Sequence, residues 1–183
     1  MRRRSVLRSN EKVKLIGVKR IDSTNMYLKN NYFKHSSFTF IRADYQTEGR
    51  GQFDRKWYSL ANENLLFSFL LRNVAFKNIM SIRKIVVDTI IKQLEKYRIK
   101  PVFKEPNDIY VNNKKIVGIL IETKTAVKDF DYVVIGIGIN TNQVEFGDLV
   151  ATSIKLELNH DVDIKELYKE LVKELIFKIQ EVD

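Results

Sequence analysis

Residues suited to chemistry on an anion are concentrated between positions 46 and 57 of this sequence. The segment holds two glycines, three cations and the only tryptophan of the chain, and its glycines flank Arg50. A glycine lets the backbone approach a small anionic ligand closely, and such loops hold phosphates. Apolar runs at residues 38–43 and 65–71 predict strands on both sides. A solvated polar surface loop is the alternative interpretation.

A second group of polar residues surrounds a predicted hairpin turn. Adjacent Asn112 and Asn113 tolerate positive φ, so residues 108–111 and 115–122 are predicted to form its two strands. Lys115 begins the second strand, and its simplest interpretation from position alone is an exposed lysine beside a turn.

These segments need a scaffold that brings them together. Further strands are predicted over residues 13–18, 102–104 and 132–139, and the two apolar faces of residues 65–71 indicate a central strand. Helices are predicted to residue 31 from N-caps at 22–25, over 78–97, from 152 or 153 to 158, and over 164–179. Because helices and strands do not alternate regularly and hairpins are frequent, we predict an α+β fold with a mixed, largely antiparallel sheet packed with helices.

Composition excludes several kinds of site. The 183 residues contain no cysteine, and the two histidines, His35 and His160, lie in no metal-binding pattern. There is no Walker-type phosphate loop, and residues 136–141 lack the third glycine of a dinucleotide fingerprint. No apolar run approaches the ~20 residues of a membrane span, and no signal segment follows the first arginines, so we predict a cytoplasmic protein. The net charge of +9 suits anionic ligands, but a nucleic-acid-binding module would rest on that charge alone.

Several short motifs occur together in one order along the chain. They are Ser23-Thr24-Asn25; Gly49-Arg50-Gly51 leading to Lys56-Trp57; Pro106-Asn107-Asp108 followed by Lys115 and Gly118-Ile119-Leu120; Gly136-Ile137-Gly138-Ile139-Asn140; and Ala151-Thr152-Ser153. In this order and spacing they resemble the catalytic domain of biotin–protein ligases, over residues 13–183. The resemblance implies the class II aminoacyl-tRNA synthetase/biotin synthetase-like fold.

The resemblance also implies a two-step reaction. Biotin and ATP would form biotinyl-5′-adenylate and pyrophosphate, and a lysine of a biotin carboxyl carrier domain would then attack the mixed anhydride. Mg²⁺ would shield the triphosphate, and no tightly bound prosthetic group is expected. Relatives dimerise and dock acceptors through a sheet edge, so a monomer or weak homodimer is expected, with no DNA or membrane partner.

The resemblance assigns roles to individual residues. Lys115 and Arg55 would be catalytic, through contacts to carboxylate and phosphate. The biotin-binding residues would be Ser23, Thr24, Asn25, Gln46, Gly49, Arg50, Gly51 and Gly118. The nucleotide-binding residues would be Gln52, Arg55, Trp57, Asn107, Lys115 and Asn140, and Asp108 could hold Mg²⁺. The alternatives are helix capping alone for Ser23 and Thr24, a core position for Trp57, and turn chemistry for Asn107 and Asp108.

The sequence departs from the family pattern at three places. Gln52 stands where arginine is common, so weaker retention of the adenylate is expected. Glu105 stands where tryptophan is common, which puts an acid near an anionic site unless it faces solvent or pairs with Lys104 or Lys56. Residues 1–12 are expected to be a flexible basic arm and 13–183 the catalytic domain, with neither an N-terminal DNA-binding domain nor a C-terminal β-barrel.

Two other functions stay open from the sequence. A lipoate- or octanoyl-type ligase shares the fold, although the Gly-Arg-Gly loop and residues 104–108 favour biotin. The other is a biotin- or nucleotide-binding protein with little ligase activity, which Gln52 and Glu105 motivate. The presence of both Lys115 and Arg55 argues against it.

Overall fold

A seven-stranded sheet forms the centre of the structure, a computed structural model that describes residues 12–53 and 55–182. The strands are β1 (Lys14–Val18), β2 (Thr39–Ala43), β3 (Asn64–Ala75), β4 (Val102–Lys104), β5 (Asp108–Val111), β6 (Lys114–Thr125) and β7 (Asp129–Asn140). They lie in the order β1-β2-β3-β7-β6-β5-β4. β1 and β2 are parallel, whereas the other neighbouring pairs are antiparallel. The predicted α+β fold with a mixed, largely antiparallel sheet is confirmed.

Helices cover both faces of this sheet. They are α1 (Thr24–Asn31), α2 (Ile79–Lys96), α3 (Ile154–Leu158) and α4 (Ile164–Ile179). Apolar residues recur every three or four positions in α2 and α4, and these stripes are buried in the main core. The predicted N-terminal arm lies outside the described residues, except for Lys12.

Alternation along the central strands separates the core from the opposite face. The apolar residues at odd positions 133 to 139 of β7 belong to the main core with α2 and α4. Tyr132 and Val134 lie one position out of step and form a second cluster with Leu28 of α1. Gly136 and Gly138 share the parity of Tyr132 and Val134, so they lie on the α1 face.

Strand ends are where the sequence-based predictions fall short. β3, β6 and β7 each contain 12 residues, more than predicted. Main-chain pairing continues past the predicted ends at residues 71 and 122, since Arg72 and Lys124 both pair with Tyr132. The β5–β6 turn is confirmed, with φ of 49° at Asn112 and 63° at Asn113. The polar side chains near these predicted ends thus indicate where the strand becomes more exposed, and not where its main-chain pairing ends.

Candidate functional site

A cavity of about 380 Å³ opens on the α1 face of the sheet. Its walls come from the loop at residues 46–57, the start of α1, the β5–β6 hairpin and residues 146–151. Gly118, Gly136 and Gly138 form its floor. All of the site residues assigned from the sequence line this cavity except Gly49, which lies behind the loop surface. Segments separated by more than a hundred residues in sequence therefore meet at this cavity.

The loop closes on itself through its main chain. Gly51 N donates to Arg55 O (2.8 Å), and Trp57 N donates to Gly49 O (2.9 Å). A Cβ at Gly49 would lie 2.7 Å from the Trp57 carbonyl oxygen, so a side chain there would force the loop apart. The closed loop places Arg50 and Arg55, both exposed, at the cavity wall, where guanidinium groups suit anionic ligands.

The indole of Trp57 rests on two glycines of neighbouring strands. A Cβ at Gly118 would lie 2.6 Å from Cζ3 of Trp57, and a Cβ at Gly138 would lie 2.6 Å from Cε2. Both glycines are therefore needed for close approach of the ring. Trp57 is half-buried and lines the cavity, so the alternative of a core tryptophan is wrong.

Lys115 is held by its side chain and by its main chain. Its Nζ lies 2.7 Å from Asp108 Oδ1 and 5.4 Å from the centre of the Trp57 ring. Its N–H donates to Val150 O (3.1 Å), and its carbonyl accepts from Thr152 N (2.9 Å). The side chain is 30% exposed, so the ammonium is both positioned and open to an anion in the cavity.

The start of α1 serves two purposes. Ser23 is the N-cap, and its Oγ accepts from Met26 N (3.4 Å). Thr24 N and Thr24 Oγ1 lie 2.7 and 2.9 Å from Oε1 of Gln46, which ties the helix to the loop. Ser23 and Thr24 also line the cavity, so capping alone does not describe them.

Two asparagines assigned to the nucleotide tether the main chain. Asn107 Nδ2 donates to Ile119 O (3.0 Å), and Asn140 Nδ2 donates to Thr152 O (3.0 Å). Asn140 is almost fully buried. Their side-chain amides thus fix the walls of the cavity, and their contact with a nucleotide stays a prediction.

Glu105 has a partner that sequence analysis did not identify. Its carboxylate pairs with Arg83 of α2, and not with Lys104 or Lys56 as considered above. Arg83 also donates to the carbonyl of Pro106. The acid is therefore neutralised beside the turn that carries Asp108, which removes one reason to doubt an anionic site.

Several residues in or beneath the cavity escaped the sequence reasoning. Buried Ser68 of β3 and partly buried Glu122 of β6 both hydrogen-bond to Asn25, which lines the cavity. A hydroxyl within the otherwise apolar run at residues 65–71 was the available signal for Ser68. Leu149 and Val150 form an exposed apolar part of the wall, and nothing in their local pattern indicated it.

Neither a clustered metal site nor a membrane helix is found in the described part of the chain. Among residues 12–53 and 55–182, no three His, Cys, Asp or Glu side chains come together as a metal-binding group. Within the same residues, no helix has the length and apolar character needed to cross a bilayer.

Comparison with known proteins bears on this cavity. Residues 17–140 match the Biotin/lipoate A/B protein ligase family. The bifunctional ligase/repressor BirA of Escherichia coli strain K12 is 36% identical over 126 residues, which are 66% of this chain and 38% of that protein. The chain spans less than half the length of the curated relatives it matches.

Solved structures share the fold. The biotin protein ligase from Aquifex aeolicus in complex with biotin and ATP is 34% identical with a TM-score of 0.81, and the match covers 92% of this chain and 71% of that chain. The biotin protein ligase from Leishmania major in complex with biotinyl-5-AMP is 22% identical with a TM-score of 0.70, covering 92% and 76%, a likeness of fold alone.

Proposed function

The chain belongs to the biotin/lipoate A/B protein ligase family, and from this premise we propose that it is a biotin–protein ligase. It would activate biotin with ATP and transfer biotin to a lysine of a carrier domain. The observation that carries the proposal is that Lys115 shares one cavity with the neutral polar groups of Ser23, Thr24 and Gln46. The Aquifex aeolicus relative, which holds biotin and ATP, has the same fold.

The neutral polar groups of Ser23, Thr24 and Gln46 suit the cyclic urea of biotin. The urea is neutral, with one carbonyl acceptor and two N–H donors, and hydroxyl and amide groups can satisfy both. The dithiolane of lipoate has no such donors and would leave buried polar groups unpaired, which is costly. These polar groups therefore favour biotin over lipoate.

The cations that line the cavity suit the first chemical step. A biotin carboxylate oxygen attacks the α-phosphorus of ATP, a P–O bond forms, and the bond to pyrophosphate breaks. Lys115 and Arg55 bring the two anions together and stabilise the charge that develops on the α-phosphate. Asp108, 2.7 Å from Lys115 Nζ, holds that ammonium at the wall.

The second step transfers biotin to the acceptor. The neutral amine of the acceptor lysine attacks the acyl carbon of the mixed anhydride, and AMP leaves as the amide forms. The attacking nitrogen loses its proton to solvent. The same cations stabilise the departing phosphate.

Mg²⁺ fits this cavity as a companion of the triphosphate. It commonly binds through one or two carboxylates together with substrate phosphates. Asp108 lines the cavity with its carboxylate and would hold the ion, whose positive charge would shield the triphosphate. Asp108 would then hold the ion in addition to pairing with Lys115.

The test is biotin transfer to a purified carrier domain. The protein is incubated with MgATP, the carrier and either biotin or lipoate, and the product is probed with labelled streptavidin or an antibody against lipoate. We expect biotin transfer by the parent and a loss of at least about a hundredfold for Lys115→Ala, the scale of one lost charge-stabilising group.

Lys114→Ala is the matched control, because Lys114 is an exposed neighbour on the same hairpin and lies outside the cavity wall. It should retain parental activity. No transfer by the parent, or equal transfer by Lys115→Ala, contradicts the ligase mechanism. Transfer of lipoate instead of biotin supports the lipoate-type alternative.

A further inference from the structure

A chain of hydrogen bonds runs beneath the cavity from the surface to Thr24. Lys29 Nζ lies 2.5 Å from Glu122 Oε1, and Asn25 Nδ2 donates to Glu122 Oε2 (2.8 Å). Ser68 Oγ lies 2.5 Å from Asn25 Oδ1 and 2.6 Å from Thr24 Oγ1. Ser68 is completely buried, and Asn25 and Thr24 are nearly so. These side chains are shielded from water, so they must satisfy one another.

The carboxylate at one end dictates the direction of these bonds. Glu122 can only accept, so Asn25 must turn its NH₂ group toward Glu122 and its carbonyl toward Ser68. That carbonyl can only accept, so the Ser68 hydroxyl donates to it. Ser68 therefore offers Thr24 a lone pair and no proton.

The proton of the Thr24 hydroxyl is consequently retained inside the protein. Its two acceptors are Ser68 Oγ at 2.6 Å and Gln46 Oε1 at 2.9 Å. Gln46 Oε1 also accepts from Thr24 N (2.7 Å), which fixes the orientation of that amide. Thr24 is left to face the cavity as an acceptor, and Gln46 is left with its NH₂ group as a donor.

The backbone of β7 is adapted to this arrangement. A Cβ at Gly136 would lie 2.1 Å from Asn25 Oδ1, so any side chain there would expel the amide from its place. The glycine of the floor therefore accommodates Asn25, in the same way as its neighbour Gly138 accommodates Trp57.

We propose that Glu122, Asn25 and Ser68 are positioning residues that fix Thr24 as a hydrogen-bond acceptor and so select a ligand with a urea N–H. The inference rests on the proposed function and names what determines specificity at that site. A urea N–H meets the lone pair of Thr24, and the urea carbonyl meets the remaining donors. A ligand without an N–H leaves Thr24 unpaired, and a site built for hydrogen bonding rejects such analogues strongly.

The test measures biotin binding by titration calorimetry without ATP or carrier, and separately the binding of a non-hydrolysable ATP analogue. We expect Ser68→Ala to raise the Kd for biotin about tenfold, the scale of one lost hydrogen bond, while the Kd for the ATP analogue stays unchanged. Glu122→Gln should also raise the Kd for biotin, because an amide no longer dictates the orientation of Asn25. Desthiobiotin keeps the cyclic urea, so each of these variants should raise its Kd by the same factor as the Kd for biotin.

Asp131→Asn is the matched control. Asp131 is 24% exposed against 22% for Glu122, and it pairs with Arg72 and Lys124 as Glu122 pairs with Lys29, but it makes no hydrogen bond to Asn25. Its Kd for biotin should equal that of the parent. Ser68→Cys keeps a weak donor of similar size, so it should give an intermediate Kd and serves if Ser68→Ala unfolds.

Three outcomes overturn the inference: a Kd for biotin unchanged by Ser68→Ala, an equal weakening of biotin and the ATP analogue, or an equal effect of Asp131→Asn. A parent protein that binds biotin but does not transfer it contradicts the proposed function and leaves this inference intact. A parent that binds no biotin contradicts both.

Discussion

Gly138→Ala tests whether the packing of Trp57 on Gly118 and Gly138, the two-glycine seat, controls the chemistry of the cavity. The new Cβ would lie 2.6 Å from Cε2 of the indole, with Cζ2 at 2.8 Å and Nε1 at 2.9 Å. Ordinary contacts between carbon atoms are about 3.5–4.0 Å, so the ring must move by about 1 Å. A misplacement of about 1 Å near reacting groups can cost about a hundredfold in rate.

The variant should therefore lose more activity than stability. Overpacking typically costs about 1–3 kcal/mol, and half-buried Trp57 can relieve part of that strain by moving into the cavity. We expect kcat/KM for biotin-dependent pyrophosphate release to fall by about a hundredfold. Trp57 is the only tryptophan of the chain, so a shift of its emission reports the movement directly.

Gly17→Ala is the matched control for this substitution. Within residues 12–53 and 55–182, a Cβ at Gly17, in edge strand β1, would have no heavy atom within 4 Å other than those of its two chain neighbours. It should leave kcat/KM and the tryptophan emission unchanged. If Gly138→Ala keeps parental kcat/KM and emission, the two-glycine seat of Trp57 has no functional importance and this reasoning is refuted.

Two further predictions follow from single residues. Gln52→Arg adds a cation at the cavity wall and should lengthen the half-life of the bound adenylate, measured by its release on gel filtration; an unchanged half-life would show that Gln52 does not weaken retention. Burial and the charges of Lys14 and Lys34 lower the pKa of His35 below its ordinary value of 6.5. Below about pH 6.5 the unfolded chain then binds a proton that the folded chain does not. Tm should therefore decrease as the pH is lowered from about 7 to about 5, and it should decrease less steeply in His35→Gln. Equal slopes for both proteins would contradict this role of His35.

Most of the architecture could be predicted from local sequence patterns. The period of two in the strands, the period of 3.6 in α2 and α4, and the positive φ at Asn112 and Asn113 depend on neighbouring residues, and the structure agrees with each. Strand ends depend on main-chain pairing with a distant partner, so polar residues such as Arg72 misled the prediction.

The residues of the site that belong to sequence motifs could be predicted. The contacts between side chains far apart in the sequence could not. Arg83 and Glu105 are 22 positions apart, and Asn25 and Glu122 are 97 positions apart. No local pattern indicates such pairs, because their contact is decided by the packing of α2 and α1 on the sheet. Ser68 was visible as an anomaly within an apolar strand, but its partners were not.

The alternation along β7 also protects the protein against a particular folding error. Slippage of this strand by one residue would turn Gly136 and Gly138 toward the core and the flanking isoleucines toward Trp57. The same shift would remove the isoleucine side chains from the core and block the floor of the cavity. A molecule with the shifted register is thus unstable as well as inactive. Selection for stability alone would therefore remove sequences in which the cavity is malformed. For the same reason, a single-residue insertion or deletion within β7 should be selected against even where only folding is under selection.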